Sequence, residues 1–124
     1  MQIQVSIGEA VDRLSILDIK RDKIADLEKL NNIKREYDYL SSELGNNGFY
    51  QDSKHYKDLY EVNLQLWNIE DRLRELEKQG KFEGEFIDLA RKVYITNDKR
   101  SKIKRTLNIE YQSEFVEEKS YTEY

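Results

Sequence analysis

Residues 86–107 read FIDLARKVYITNDKRSKIKRTL, and the fold is decided by how this stretch is interpreted. Phe86, Leu89, Val93, Ile103 and Leu107 recur at the three-and-four spacing of one helix face. At about 100° per residue Arg100 falls in the middle of that face, with Asn97 and Lys104 beside it. Residues 91–105 hold seven Lys or Arg against one Asp, a local charge of +6 in a chain whose total is −4. A basic helix with polar groups on its apolar side must therefore sit inside an otherwise acidic protein.

The rest of the composition narrows the class. The 124 residues suit one domain with one modest core, and the 37% of charged residues suits helices with wide solvated faces. There is no cysteine, which excludes disulfides, a thiolate nucleophile and Cys-ligated metal. No basic segment followed by an apolar one begins the chain, and no apolar run approaches the roughly 20 residues of a membrane span. The expectation is a cytoplasmic protein, in the host cytoplasm if phage-encoded.

Working back to the start, Met1 to Val5 alternate as a short strand or arm would. Ser6-Ile-Gly-Glu9 is a capping box, with Glu9 expected to reach back to the cap. From Ala10 to Leu44 the apolar spacing is unbroken, which predicts one helix over 7–44, roughly 55 Å long. Asn31-Asn32 is its weak point, and Gly45 is the expected left-handed cap. A second helix is predicted over 52–78 and a third over 84–108. The first two are expected to form an antiparallel hairpin, with the third as an added rod. Residues 109–124 lack helical period but carry enough apolar side chains to pack back on the bundle. A stripe as long as 7–44 exceeds what three helices cover, which points to a homo-oligomer, with a dimer through helix one favoured.

The segments VSIGEAVDRLSILDIKRDKI, LQLWNIEDRLRE, FIDLARKVYITNDKRSKIK and VEEKSYTEY resemble a group of small bacterial and phage proteins that share a domain of unknown function. The resemblance covers most of the chain. It implies an all-helical core and relatives attached to or beside glycosyltransferases and helical-repeat domains. It carries over no catalytic residue. It does place Trp67, Glu70, Arg91, Tyr94, Asn97, Asp98, Arg100, Lys104, Glu118, Lys119 and Tyr121 in the signature segments.

The residues themselves raise a question of charge. Arg13 and Lys20 flank the first stripe, Asn63 and Glu70 lie on the second, and Asn97, Arg100 and Lys104 lie on the third. Buried charge needs partners, and Glu70 is the expected partner of Arg100, with the tail acids Glu117 and Glu118 neutralising another cation. Leftover cations would bind an anion; alternatively they snorkel to water or form a closed network. The ligand-site candidates are these seven stripe residues, joined by Trp67, Arg91, Tyr94, Lys119 and Tyr121 from the resembling segments. Trp67 also reads as core, and His55 as a solvated residue near the start of helix two.

No P-loop, HExxH or glycine-rich nucleotide fingerprint is present, and no nucleophile–base pair is visible. The acidic total disfavours nucleic acid. The favoured reading is a non-enzymatic binder of an anionic small molecule, a nucleotide or sugar phosphate, without cofactor or metal. A phage anti-defence protein sequestering a nucleotide signal is its concrete form. A helical interaction or accessory module beside glycosyltransferases, and a structural homo-oligomer with no ligand, are the alternatives.

Overall fold

A computed structural model describes residues 1–124 and contains four helices and no strand. They are α1 (Ile7–Lys23), α2 (Leu27–Asn46), α3 (Lys54–Gln79) and α4 (Glu85–Glu110). No helix is long and apolar enough to cross a membrane.

α1 starts where the Ser6 hydroxyl accepts from the Glu9 N–H at 3.1 Å. The reciprocal half of the expected capping box is absent, because the Glu9 carboxylate is drawn instead to Lys104. The predicted helix over 7–44 is two helices. Ile24 leaves helical geometry at φ −95°, ψ 131°, and Asp26 caps α2 by accepting from the Lys29 N–H at 2.9 Å. Ile24, Leu27 and Leu30 keep the apolar spacing across the break, so the period carries no trace of it. Asn31 and Asn32, the expected weak point, lie inside α2, where Asn32 accepts from Arg35. Gly45 likewise belongs to α2; the left-handed turn is made by Gly48 at φ 82°.

α1 is the central element. It packs against α2, α3 and α4, whereas α2 packs against α1 alone. The expected hairpin between 7–44 and 52–78 is therefore replaced by an α1–α2 pair and an α3–α4 pair. His55 meets Glu110 at one end of the second pair and Arg72 meets Glu85 toward the other, so α3 and α4 run in opposite directions. Val11 and Leu14 of α1 are fully buried, and with Leu59 and Leu107 they centre an apolar cluster that Phe49 and Tyr56 close. α1 and α4 approach closely at Gly8, whose N–H donates to Asn108 Oδ1 at 2.6 Å.

The N-terminal strand does not form. Residues 1–5 make no backbone–backbone hydrogen bond, since no neighbouring strand offers a ladder. The arm is tied by Gln4 donating to Glu114. Beyond Tyr111 the chain turns and runs back along α4.

A Cβ at Gly8 would stand 2.4 Å from the Lys104 carbonyl oxygen, with backbone on both sides of the contact. Gly8→Ala is expected to lower stability by about 2 kcal/mol, as overpacking does. Gly45, with open space around it, is expected to gain about 0.5 kcal/mol on substitution by Ala. Urea denaturation followed by helical circular dichroism reads both.

Candidate functional site

On α1, Gly8, Asp12, Ser15 and Ile19 form a second buried stripe beside the apolar one. Asp12 is 1% exposed where α1 meets α3 and α4. Arg100 of α4 grips it with both arms, Nε to Oδ1 at 2.8 Å and Nη2 to Oδ2 at 2.5 Å. From α3, Asn63 Nδ2 donates to Asp12 Oδ1 at 2.9 Å and to Ser15 Oγ at 2.8 Å. The Ser15 hydroxyl in turn donates to the Asp12 carbonyl at 2.7 Å. One turn away, Lys104 Nζ donates to Glu9 at 2.9 Å and to Glu117 at 3.3 Å. No buried side-chain nitrogen or oxygen is left without a partner.

The electrostatics follow from these contacts. The hydrogen bonds to Asp12 hold the Arg100 guanidinium above its ordinary pKa against the burial that opposes it. Burial alone would push the Lys104 ammonium down, but the Glu9 bond and the nearby carboxylates outweigh it and the net shift is upward. Tyr56, mostly through burial and then through donating to Asp18 at 2.7 Å, is pushed well above the usual phenol range.

The inward cations are thus met by α1, not by α3. The expected Glu70–Arg100 pair does not exist, because Glu70 is exposed and Asp12 already fills the guanidinium fork. Arg13 is also exposed and meets Glu36 at 3.4 Å. Lys20 is half-buried and joins no ion pair, Trp67 is half-buried, and Arg91 is exposed. Asn63 and Arg100 come together in a closed network around Asp12, with Lys104 one turn away between Glu9 and Glu117.

A different assembly lies on the opposite edge of α4, where the tail returns. Arg105 Nη1 donates to Glu118 at 2.6 Å, Lys119 stands 3.9 Å from Glu117, and the Tyr124 hydroxyl donates to Asp98. That last bond raises the Tyr124 phenol to about 12. Tyr94 meets the Tyr124 ring edge-on at 5.2 Å. Two clefts open between helix and tail. One, of about 270 Å³, is lined by Ser101, Lys102, Lys104, Arg105, Asn108, Glu117, Glu118 and Lys119. The other, of about 410 Å³, is lined by Val93, Tyr94, Asn97, Asp98, Lys119, Tyr121, Thr122 and Tyr124. Lys119 is a wall of both, and it lies 5.7 Å from the centre of the Tyr121 ring. Tyr94, Asn97, Lys119 and Tyr121 of the expected set therefore meet here, and Lys104 reaches the first cleft from the interior.

Sequence reasoning missed Asp12, Ser15 and Glu9 as interior partners, and Lys102, Arg105 and Tyr124 as cleft walls. The first group had a signal: small Gly8 and Ser15 bracket Asp12 at helical spacing. The second had none, because tail contacts depend on a turn with no periodic pattern. The chain belongs to DUF6165, a family of unknown function matched over residues 1–124. Neither the curated proteins nor the solved structures contain a match.

Arg100→Met removes the counter-charge of Asp12 and is expected to cost about 3 kcal/mol, whereas Glu70→Ala should stay within about 0.5 kcal/mol. Chemical denaturation of the two variants checks the contrast. Lys104 and Tyr56 have folded pKa values raised from 10.5 and 10.0. Their contribution is complete below those unfolded values and is lost as pH climbs through the folded ones. The melting temperature should be level from about pH 7 to about pH 9 and decline above about pH 10, with a shallower decline in Tyr56→Phe.

Proposed function

Within this family of unknown function, we propose that the chain binds an anionic small molecule, a nucleotide or sugar phosphate, in the double cleft between α4 and the returning tail. One observation carries the reading: Lys119 is the shared wall of a cationic cleft and a tyrosine-lined one. A phosphate fits the first, where four cations face two carboxylates and Lys102 joins no ion pair. A ring, base or sugar, fits the second, with Tyr94, Tyr121 and Tyr124 for stacking and Asn97 and Asp98 for hydrogen bonds. The interior site around Arg100 is the weaker candidate, because Asp12 already neutralises it.

Binding in the cationic cleft exchanges the tail carboxylates of Glu117 and Glu118 for ligand oxygens on the same cations. Affinity is then set by the difference between two sets of charge-assisted hydrogen bonds, and it falls with ionic strength. The reading is capture without turnover, so a ligand that binds is expected back unchanged. Sequestration of a nucleotide signal by a phage protein is the concrete form of such capture, and a helical accessory module beside glycosyltransferases is the alternative reading.

The test is a melting-temperature series with ADP, UDP-glucose and glucose 6-phosphate. At least one of the three should raise the melting temperature by linkage. Lys119→Ala and Lys102→Ala should each weaken that rise about tenfold in apparent affinity, and mass spectrometry should recover the compound intact. No shift with any of the three, or a shift that both variants retain, would overturn the proposal.

A further inference from the structure

α1 covers only part of the face that α3 and α4 turn toward it. On α3 it holds Tyr56 through Asp18 and Asn63 through Asp12; on α4 it holds Arg100 and Lys104 through Asp12 and Glu9. Three-and-four spacing carries the α3 stripe onward through Trp67, Glu70 and Arg74, and the α4 stripe back through Val93 and Phe86. α2 lies on α1 alone, so no helix covers this continuation. The burial pattern agrees: Trp67 and Phe86 are half-buried although they follow directly from the core stripe, while Val93 between them faces the cleft under the tail. Glu70, Asp71 and Arg74 are exposed, and none takes part in the chain's ion pairs, whereas neighbouring Arg72 is engaged by Glu75 and Glu85.

We propose that this shelf docks against the same shelf of a second copy of the chain, the two α3–α4 pairs closing a four-helix bundle with Trp67 at the interface. Two helices alone cannot cover their own seam, and a second pair is the common way to do so. The charge order selects a second copy over another partner. A two-fold contact presents the same stripe in reverse, so each residue of one protomer meets a different residue of its partner. Reversal sets acidic Glu70 against the partner's Arg74 and basic Arg74 against the partner's Glu70. A surface of one sign would set like charges against each other at every pair.

Trp67 is the chain's only tryptophan, so its emission reports the interface directly. Sedimentation and tryptophan emission of the full chain between about 1 and about 100 µM should show a dimer whose emission shifts to the blue as it forms. Glu70→Arg and Arg74→Glu should each weaken the dimer about tenfold or more, and the double reversal E70R/R74E should restore it. Circular dichroism separates lost docking from lost folding. Should a variant lose helicity, the concentration dependence of Trp67 emission in the unsubstituted chain decides the matter alone. A monomer throughout that range, a dimer with Trp67 emission independent of concentration, a dimer indifferent to the single reversals, or a double variant as weak as the singles would overturn the proposal.

Discussion

The carboxylate of Asp12 has to be neutralised at the point where α1, α3 and α4 meet, and the arrangement of the three helices follows from how that is done. A carboxylate that is 1% exposed is costly unless it is paired and fully hydrogen-bonded. Arg100 supplies the charge and a planar fork, and Asn63 supplies a further donor that also holds Ser15. Because the fork is bidentate, it fixes the rotation of α4 about its axis as well as its distance from α1. Lys104 then falls beside Glu9, and the Lys104 carbonyl falls against Gly8, where only a hydrogen is tolerated. A wholly apolar contact would tolerate sliding; this one has a single register.

The same pairing explains where recognition is and is not to be sought. Cations on an apolar stripe invite the idea of a buried anion site, yet α1 delivers Asp12 to Arg100 and Glu9 to Lys104. The unsettled charge lies instead at the edge of α4, where the tail lays Glu117 and Glu118 on Lys104 and Arg105 in a partly solvated setting. There the ion pairs are weak enough to exchange, since exposed pairs contribute roughly 0–1 kcal/mol. Interior pairs specify the fold, and peripheral pairs on the same helix remain available.

How much of this could be read from residues alone depended on range. The helices predicted over 52–78 and 84–108 lie within a few residues of α3 and α4, because one apolar face repeats along each. It failed at residues 24–26, where the apolar spacing continues through a backbone break made by Asp26 capping the next helix. It also failed for the strand, since alternation at Ile3 and Val5 says nothing about a missing neighbour. Of the site, Arg100 and Lys104 were identifiable as misplaced charges and the tail acid Glu117 as a partner, but Asp12 and Glu9 were not. Asp12 is separated from Arg100 by 88 positions and looked like an ordinary solvated acid on a helix rich in them. The aromatic cleft needed the tail to turn back at Gln112, a residue held at φ 52°, which no spacing rule anticipates.

α2 stands apart from all of this. Among the helices its backbone lies close to α1 alone, it buries just Ile33 and Leu44, the latter at the rim of the core cluster with Tyr56, Leu59 and Leu107, and it is joined to α1 through an extended break at Ile24–Asp26. Detaching it would expose one side of α1 and the Leu44 edge of the core cluster while leaving the hydrogen bonds of the Asp12 junction in place. Local opening of α2 is therefore expected to cost less than unfolding of the whole chain. Amide protons of α2 are released to solvent by local opening, whereas those around Leu14, Leu59 and Leu107 wait for the whole fold to come apart.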